Sequence, residues 1–285
     1  GNFSGSFEAP KDGMYVMTYA GKENLIYLKQ GQKLEISGNA DTFPQEFTIT
    51  GDAKSNNDFL QAVQKNMMSY TQNLNLQEKM DKDEKGFLVD IKKIDADLMK
   101  NVDENAEKFK ADKKTVEWKK NDIRTGILSL LPQYEAYKKQ SSQNVAYKSS
   151  KAFTDFEDGL QKDKELLVKD HPAYRNYLLT KMSEDFTKFA EAKPKGAVEP
   201  TTSELFSEYL KKRTELSQTT NDYLLAYIIA QADLQPTATK EAQEKVAKII
   251  DEEIKDATIK KDLKTVQFAI GGLKIGEPLP EASLM

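Results

Sequence analysis

The stretch DKDEKGFLVDIK, residues 81–92, comes nearest to a ligand-binding pattern. Asp81 and Asp83 would stand at positions 1 and 3 of a calcium loop, Gly86 at position 6 and the apolar Leu88 at position 8. Such a loop needs an oxygen ligand at position 5 and a bidentate Glu at position 12. Those positions hold Lys85 and Lys92, and two ammonium groups would repel the ion. The stretch therefore reads as a charged turn between two helices. His171 is the single histidine, so a Ser-His-Asp arrangement would have to use it. It precedes Pro172 at an expected helix start, where a polar residue serves as a cap or turn. One imidazole cannot build an HExxH zinc site.

Cysteine is absent, which removes a thiol nucleophile, a Cys-ligated zinc, an iron–sulfur cluster and a disulfide framework from this chain. Carboxylates are plentiful in DFEDG (155–159), DEE (251–253) and DADL (95–98). Glycoside hydrolysis needs two of them across a cleft. Here they sit beside lysines at helical spacing, where solvation and i,i+4 pairing account for them. The sequence holds no Walker A loop, no GxGxxG and no GxSxG. Trp118, flanked by charge in TVEWKKND, reads as a partly buried anchor rather than a sugar platform. No residue is assigned a catalytic, cofactor-binding or metal-binding role, and the chain is expected not to be an enzyme.

Composition narrows the partners. The 285 residues carry 46 acids and 42 bases, a net charge of −4. Arginine occurs only at Arg124, Arg175 and Arg213, and the lysines alternate with acids. Nucleic-acid binders concentrate positive charge on one face, because phosphate neutralisation drives their affinity, so nucleic acid is not expected as a partner. No run of 18 apolar residues suggests a membrane span. No basic segment followed by an apolar one opens the chain, so a signal peptide is expected to have been removed.

The elements that must position any site fall into two regimes. Up to about residue 50 the pattern is short strands: NFSGSF near the start, MYVMTYA (14–20), NLIYLK (24–29), KLEIS (33–37) and EFTIT (46–50). Turn-forming PKDG, AGKEN, KQGQ and SGNAD separate them, which suggests an antiparallel meander or sandwich. Near Gly51 the period becomes helical. Phe59, Val63, Met67, Tyr70 and Leu74 make one face, Ile91, Ile94, Leu98 and Val102 a second, and Ile123, Ile127, Leu130, Tyr134 and Tyr137 a third. Pro132 is expected to kink or interrupt the last. Pro172 suits a helix start, and Tyr174, Leu178, Met182, Phe186 and Phe189 form the face that follows. AKPKGAVEP (192–200) reads as a loop, and Thr201 and Glu204 have capping-box spacing. TNDYLLAYIIAQADL is apolar on most sides and is expected to be central. A last helix should close at Gly271. The expected fold class is α+β: a small antiparallel β-domain over 1–52, which either lacks upstream strands or rests on the helical part, then an all-α domain over 53–271.

Three segments resemble a known family. GNFSGSFEAPKDGMYVMTY with NLIYLKQGQKLEISGNAD and FTITGD resembles the N-terminal β-domain that precedes thioredoxin-like domains in envelope proteins of Bacteroidetes. ELLVKDHPAYRNYLL resembles a helix start in the same proteins. LKIGEPLPEASL, with Gly276, Pro278 and Pro280, resembles the lead-in to a TlpA-type or peroxiredoxin-like thioredoxin fold. The resemblance implies that 272–285 leads into a thioredoxin-like domain of the same polypeptide. It implies a place in the cell envelope or periplasm, with a lipid anchor through a removed N-terminal segment, and a client protein as a further partner. The Cys-x-x-Cys of that family is absent and would lie beyond Met285, so no catalytic residue carries over. The chain is then expected to be a non-catalytic accessory region that positions the redox domain or binds its client. The alternative is a stand-alone envelope binding module for a peptide, glycan or lipid, and a hydrolase using surface carboxylates is a third reading.

Overall fold

In the computed structural model, residues 12–39, 41–43, 47–142, 147–194 and 200–271 are described. They form an α+β chain, with short antiparallel strands first and helices after. The strands are β1 (Gly13–Tyr19), β2 (Lys22–Leu28), β3 (Leu34–Gly38) and β4 (Phe47–Gly51). The helices begin with α1 at Lys54–Gln72, so the period change read near Gly51 is where strand gives way to helix. The NFSGSF expectation lies outside the described residues. The chain divides into two units, Gly1–Ile127 and Leu128–Leu284, and the division falls within a helix.

In the first unit the expected antiparallel meander or sandwich takes the form of two separate two-stranded sheets: β1 pairs with β2 and β3 with β4. Ala20 and Gly21, with φ of 48° and 75°, make the two-residue turn of the first hairpin, and positive φ at both central residues suits the right-handed twist of the strands. The outer edge of β2 is not free for a third strand. Asn57 of α1 occupies it, its Oδ1 accepting from Tyr27 N at 2.8 Å and its Nδ2 donating to Tyr27 O at 2.9 Å. The two hairpins share a small core of Ile26, Leu28, Ile49 and Ala53, flanked by Tyr15, Met17, Leu34 and Phe47. Gly51 closes β4 with φ +88°, and a Cβ there would lie 2.5 Å from the Lys33 carbonyl oxygen. Only glycine fits both the left-handed backbone and that approach.

Behind the hairpins come α1, α2 (Leu76–Asp81), α3 (Glu84–Phe109) and the first half of α4 (Lys113–Ser141). Phe59 and Val63 of α1 are buried as their spacing requires, whereas Leu74 lies past the end of α1. Phe87, Ile91, Ile94, Leu98 and Val102 form the buried stripe of α3. Asp112 precedes α4 and caps it, accepting from Thr115 N at 2.8 Å. The same carboxylate accepts from Asn56 Nδ2 at 2.6 Å and pairs with Lys29 Nζ at 2.8 Å. It thereby joins the residue after β2, the start of α1 and the start of α4.

The second unit begins within α4, which runs through Pro132 without the expected interruption. Leu128, Leu131 and Tyr134 around it are fully buried, and their packing holds the helix across the missing N–H. Then follow α5 (Lys151–Gly159), α6 (Lys164–Asp170), α7 (Pro172–Glu191), α8 (Thr202–Leu210), α9 (Gln218–Ile228), α10 (Lys240–Glu252) and α11 (Ala257–Gly271). The Thr201–Glu204 capping box opens α8. A π-helical turn, Ile229–Asp233, extends α9, and Asp233 Oδ2 accepts from Ser203 N at 2.7 Å. Leu224, Leu225, Ile229 and Leu234 of this segment lie in the core, with Phe206, Tyr209, Leu210, Val246, Ile250 and Leu263.

Candidate functional site

The residues singled out by chemistry fall into ordinary structural positions. Asp83 caps α3, its Oδ1 accepting from Gly86 N at 2.8 Å, and residues 84–92 continue as helix. A calcium loop would have to wrap an ion there. Lys82 Nζ pairs with Asp90 Oδ2 at 2.7 Å across the same turn. His171 is buried at the N-cap position of α7, but its side chain makes no capping bond. Its backbone makes the join: its N–H donates to Leu167 O and its carbonyl accepts from Tyr174 N, both at 3.0 Å. Trp118 is half-buried on α4. Asp155 and Asp97 pair with Lys151 and Lys93 four residues before them.

Glu157 is the exception among the carboxylates. It lies near the end of α5 and is 6% exposed. Its Oε1 accepts from the Tyr177 hydroxyl at 2.8 Å and faces Lys181 Nζ at 3.1 Å. The Tyr177 hydroxyl accepts from Gln161 Nε2 at 3.2 Å, and Gln161 Oε1 accepts from the Tyr174 hydroxyl at 2.9 Å. Lys181 Nζ also reaches Glu135 Oε2 of α4 at 3.3 Å, and Ser149 Oγ donates to Glu135 Oε1 at 2.5 Å. Tyr174, Tyr177 and Lys181 stand at i, i+3 and i+7 of α7, so one helix face supplies three members. The tyrosine rings stack with centroids 5.8 Å apart.

The electrostatics hold these groups in one protonation state. Burial pushes the Tyr174 hydroxyl up to about 12. Burial and the Glu157 carboxylate push Tyr177 higher still. Burial lowers Lys181, but Glu157 and Glu135 outweigh it and leave the ammonium raised. A general base works best with its pKa near the operating pH. Here both phenols and the ammonium move away from neutrality and remain donors. The arrangement can tie α4, α5 and α7 together, and neither the two phenols nor the ammonium is poised as a base or nucleophile.

Two other carboxylates are used in the same way. Asp222, buried on α9, accepts from Asp256 N at 2.7 Å and Gln218 Nε2 at 2.7 Å, pinning the chain just before α11. Burial alone would raise Asp112, but bonds from Lys29, Thr115 and Asn56 hold it down to about 2. Among the described residues, no group of three His, Cys, Asp or Glu side chains is placed to hold a metal. A cleft of about 210 Å³ between α1 and α3 is lined by Asn66, Tyr70, Asp97, Asn101 and Glu104. A second, of about 80 Å³, borders Asp222. Sites for drug-sized ligands run from roughly 300 to 1,000 Å³.

The remaining candidate is a surface. Val16 and Leu25 are cross-strand partners on the first hairpin, 57% and 42% exposed. They stand on the face opposite Ile26 and Leu28, which point into the shared core. Sequence reading placed both residues on strands but did not separate the outward pair from the inward one. The alternation was present, but both faces of the hairpin are apolar there. Among the described residues, no helix is long and apolar enough to cross a membrane. No protein-family model, no curated protein and no solved structure matches the chain.

Proposed function

We propose that this chain is a non-catalytic binding and positioning region, the accessory part of an envelope thiol–disulfide oxidoreductase of thioredoxin-like type. The observation that carries the binding role is the outward Val16–Leu25 pair, two apolar side chains left 57% and 42% exposed. Buried Glu157 and Asp222 and half-buried Asp112 all have donors within the fold, which supports a scaffold rather than a catalyst. The thioredoxin part of the proposal rests on the resemblance of LKIGEPLPEASL to the lead-in of that fold. Its partners would be a thioredoxin-like domain in the same polypeptide and the client it reduces, in the cell envelope.

The test uses the reading frame past Met285. It should encode a domain with Cys-x-x-Cys at a strand-to-helix junction, where a helix N-terminus lowers the thiol pKa. The longer protein should reduce insulin disulfides and lose that activity when either cysteine is changed to serine. The 285-residue chain, without cysteine, should be inert. A longer protein without paired cysteines would end the oxidoreductase assignment and leave a stand-alone binding module for a peptide, glycan or lipid.

A further inference from the structure

We draw no further inference here: the strongest candidate, the cleft between α1 and α3 lined by Tyr70, Asp97, Asn101 and Glu104, is a shallow groove of surface side chains, and nothing among the described residues points to what would fill it.

Discussion

The Glu157 cluster and the outer face of the first hairpin are opposites. One is a closed polar network; the other holds an exposed apolar pair, Val16 and Leu25, beside the buried Tyr27. In the cluster Tyr174, Tyr177, Gln161 and Lys181 all find acceptors, and burial is compensated bond by bond. On the hairpin, two apolar side chains face outward although the core lies on the other side of the sheet. The second hairpin sharpens the point. Its outward positions carry Glu35 and Thr50, joined at 3.3 Å, and Ser37 opposite Thr48. Both hairpins feed the same core, so the apolar outer face of the first is not a requirement of hairpin packing. In the Glu157 cluster side-chain chemistry ties helices together, whereas the Val16–Leu25 pair is left exposed.

The largest effect is expected from opening the closed cluster. Glu157→Ala leaves Lys181 short of one partner and removes the acceptor for Tyr177, and should cost about 3 kcal/mol in chemical denaturation. Glu157→Gln, which keeps an acceptor oxygen for Tyr177, should cost clearly less. Equal losses for the two would mean that packing, and not the polar ties, holds α5 to α7. Slightly smaller is the expected loss at the strand-to-helix joint. Gly51→Ala meets the Lys33 carbonyl in a left-handed backbone, for roughly 2 kcal/mol or more. An unchanged melting temperature would show that the joint can move aside.

The inner and outer faces of the first hairpin should then separate. Ile26→Ala, cut from the small shared core, should cost about 2 kcal/mol. Val16→Thr and Leu25→Thr should change stability by less than about 0.5 kcal/mol, as exposed substitutions do. Comparable losses on both faces would refute the outer face as spare surface. The effect at Asp112 is confined to low pH. Its carboxyl is held below the ordinary carboxylate range at about 2, so its contribution is present above the unfolded value. That contribution is lost as pH falls through about 2. Asp112→Asn should flatten the acid limb of the stability curve between about pH 4 and 2 and leave its neutral-to-alkaline shape alone. A variant curve parallel to the parent at low pH would remove Asp112 from the acid transition.

The division into strands and then helices was legible because period 2 gives way to period 3.6 at Gly51, and Thr201–Glu204 declared its cap by type and spacing. The split into two hairpins was not legible, because it depends on Asn57. A side chain on α1, 30 residues from Tyr27, fills the edge a third strand would need, and local pattern holds no trace of that pairing. Pro132 misled for a related reason, since tertiary packing at Leu128, Leu131 and Tyr134 overrides a local helix breaker. Within the cluster, Tyr174 was visible as part of an apolar face, and DFEDG drew notice for its carboxylates. Nothing in the spacing said that Glu157 turns inward while Asp155 and Asp158 stay exposed.

We propose that the outer face of the first hairpin, and not the buried polar cluster, is the surface this chain binds with. The test is reduction of a protein disulfide by the longer protein, if its reading frame encodes the proposed Cys-x-x-Cys domain, with and without Val16→Glu plus Leu25→Glu. The account predicts an unchanged melting temperature and unchanged reduction of a small disulfide, with protein-disulfide reduction falling about tenfold, the equivalent of roughly 1.4 kcal/mol of lost recognition. Protein-disulfide reduction unaffected by the two charges would contradict it.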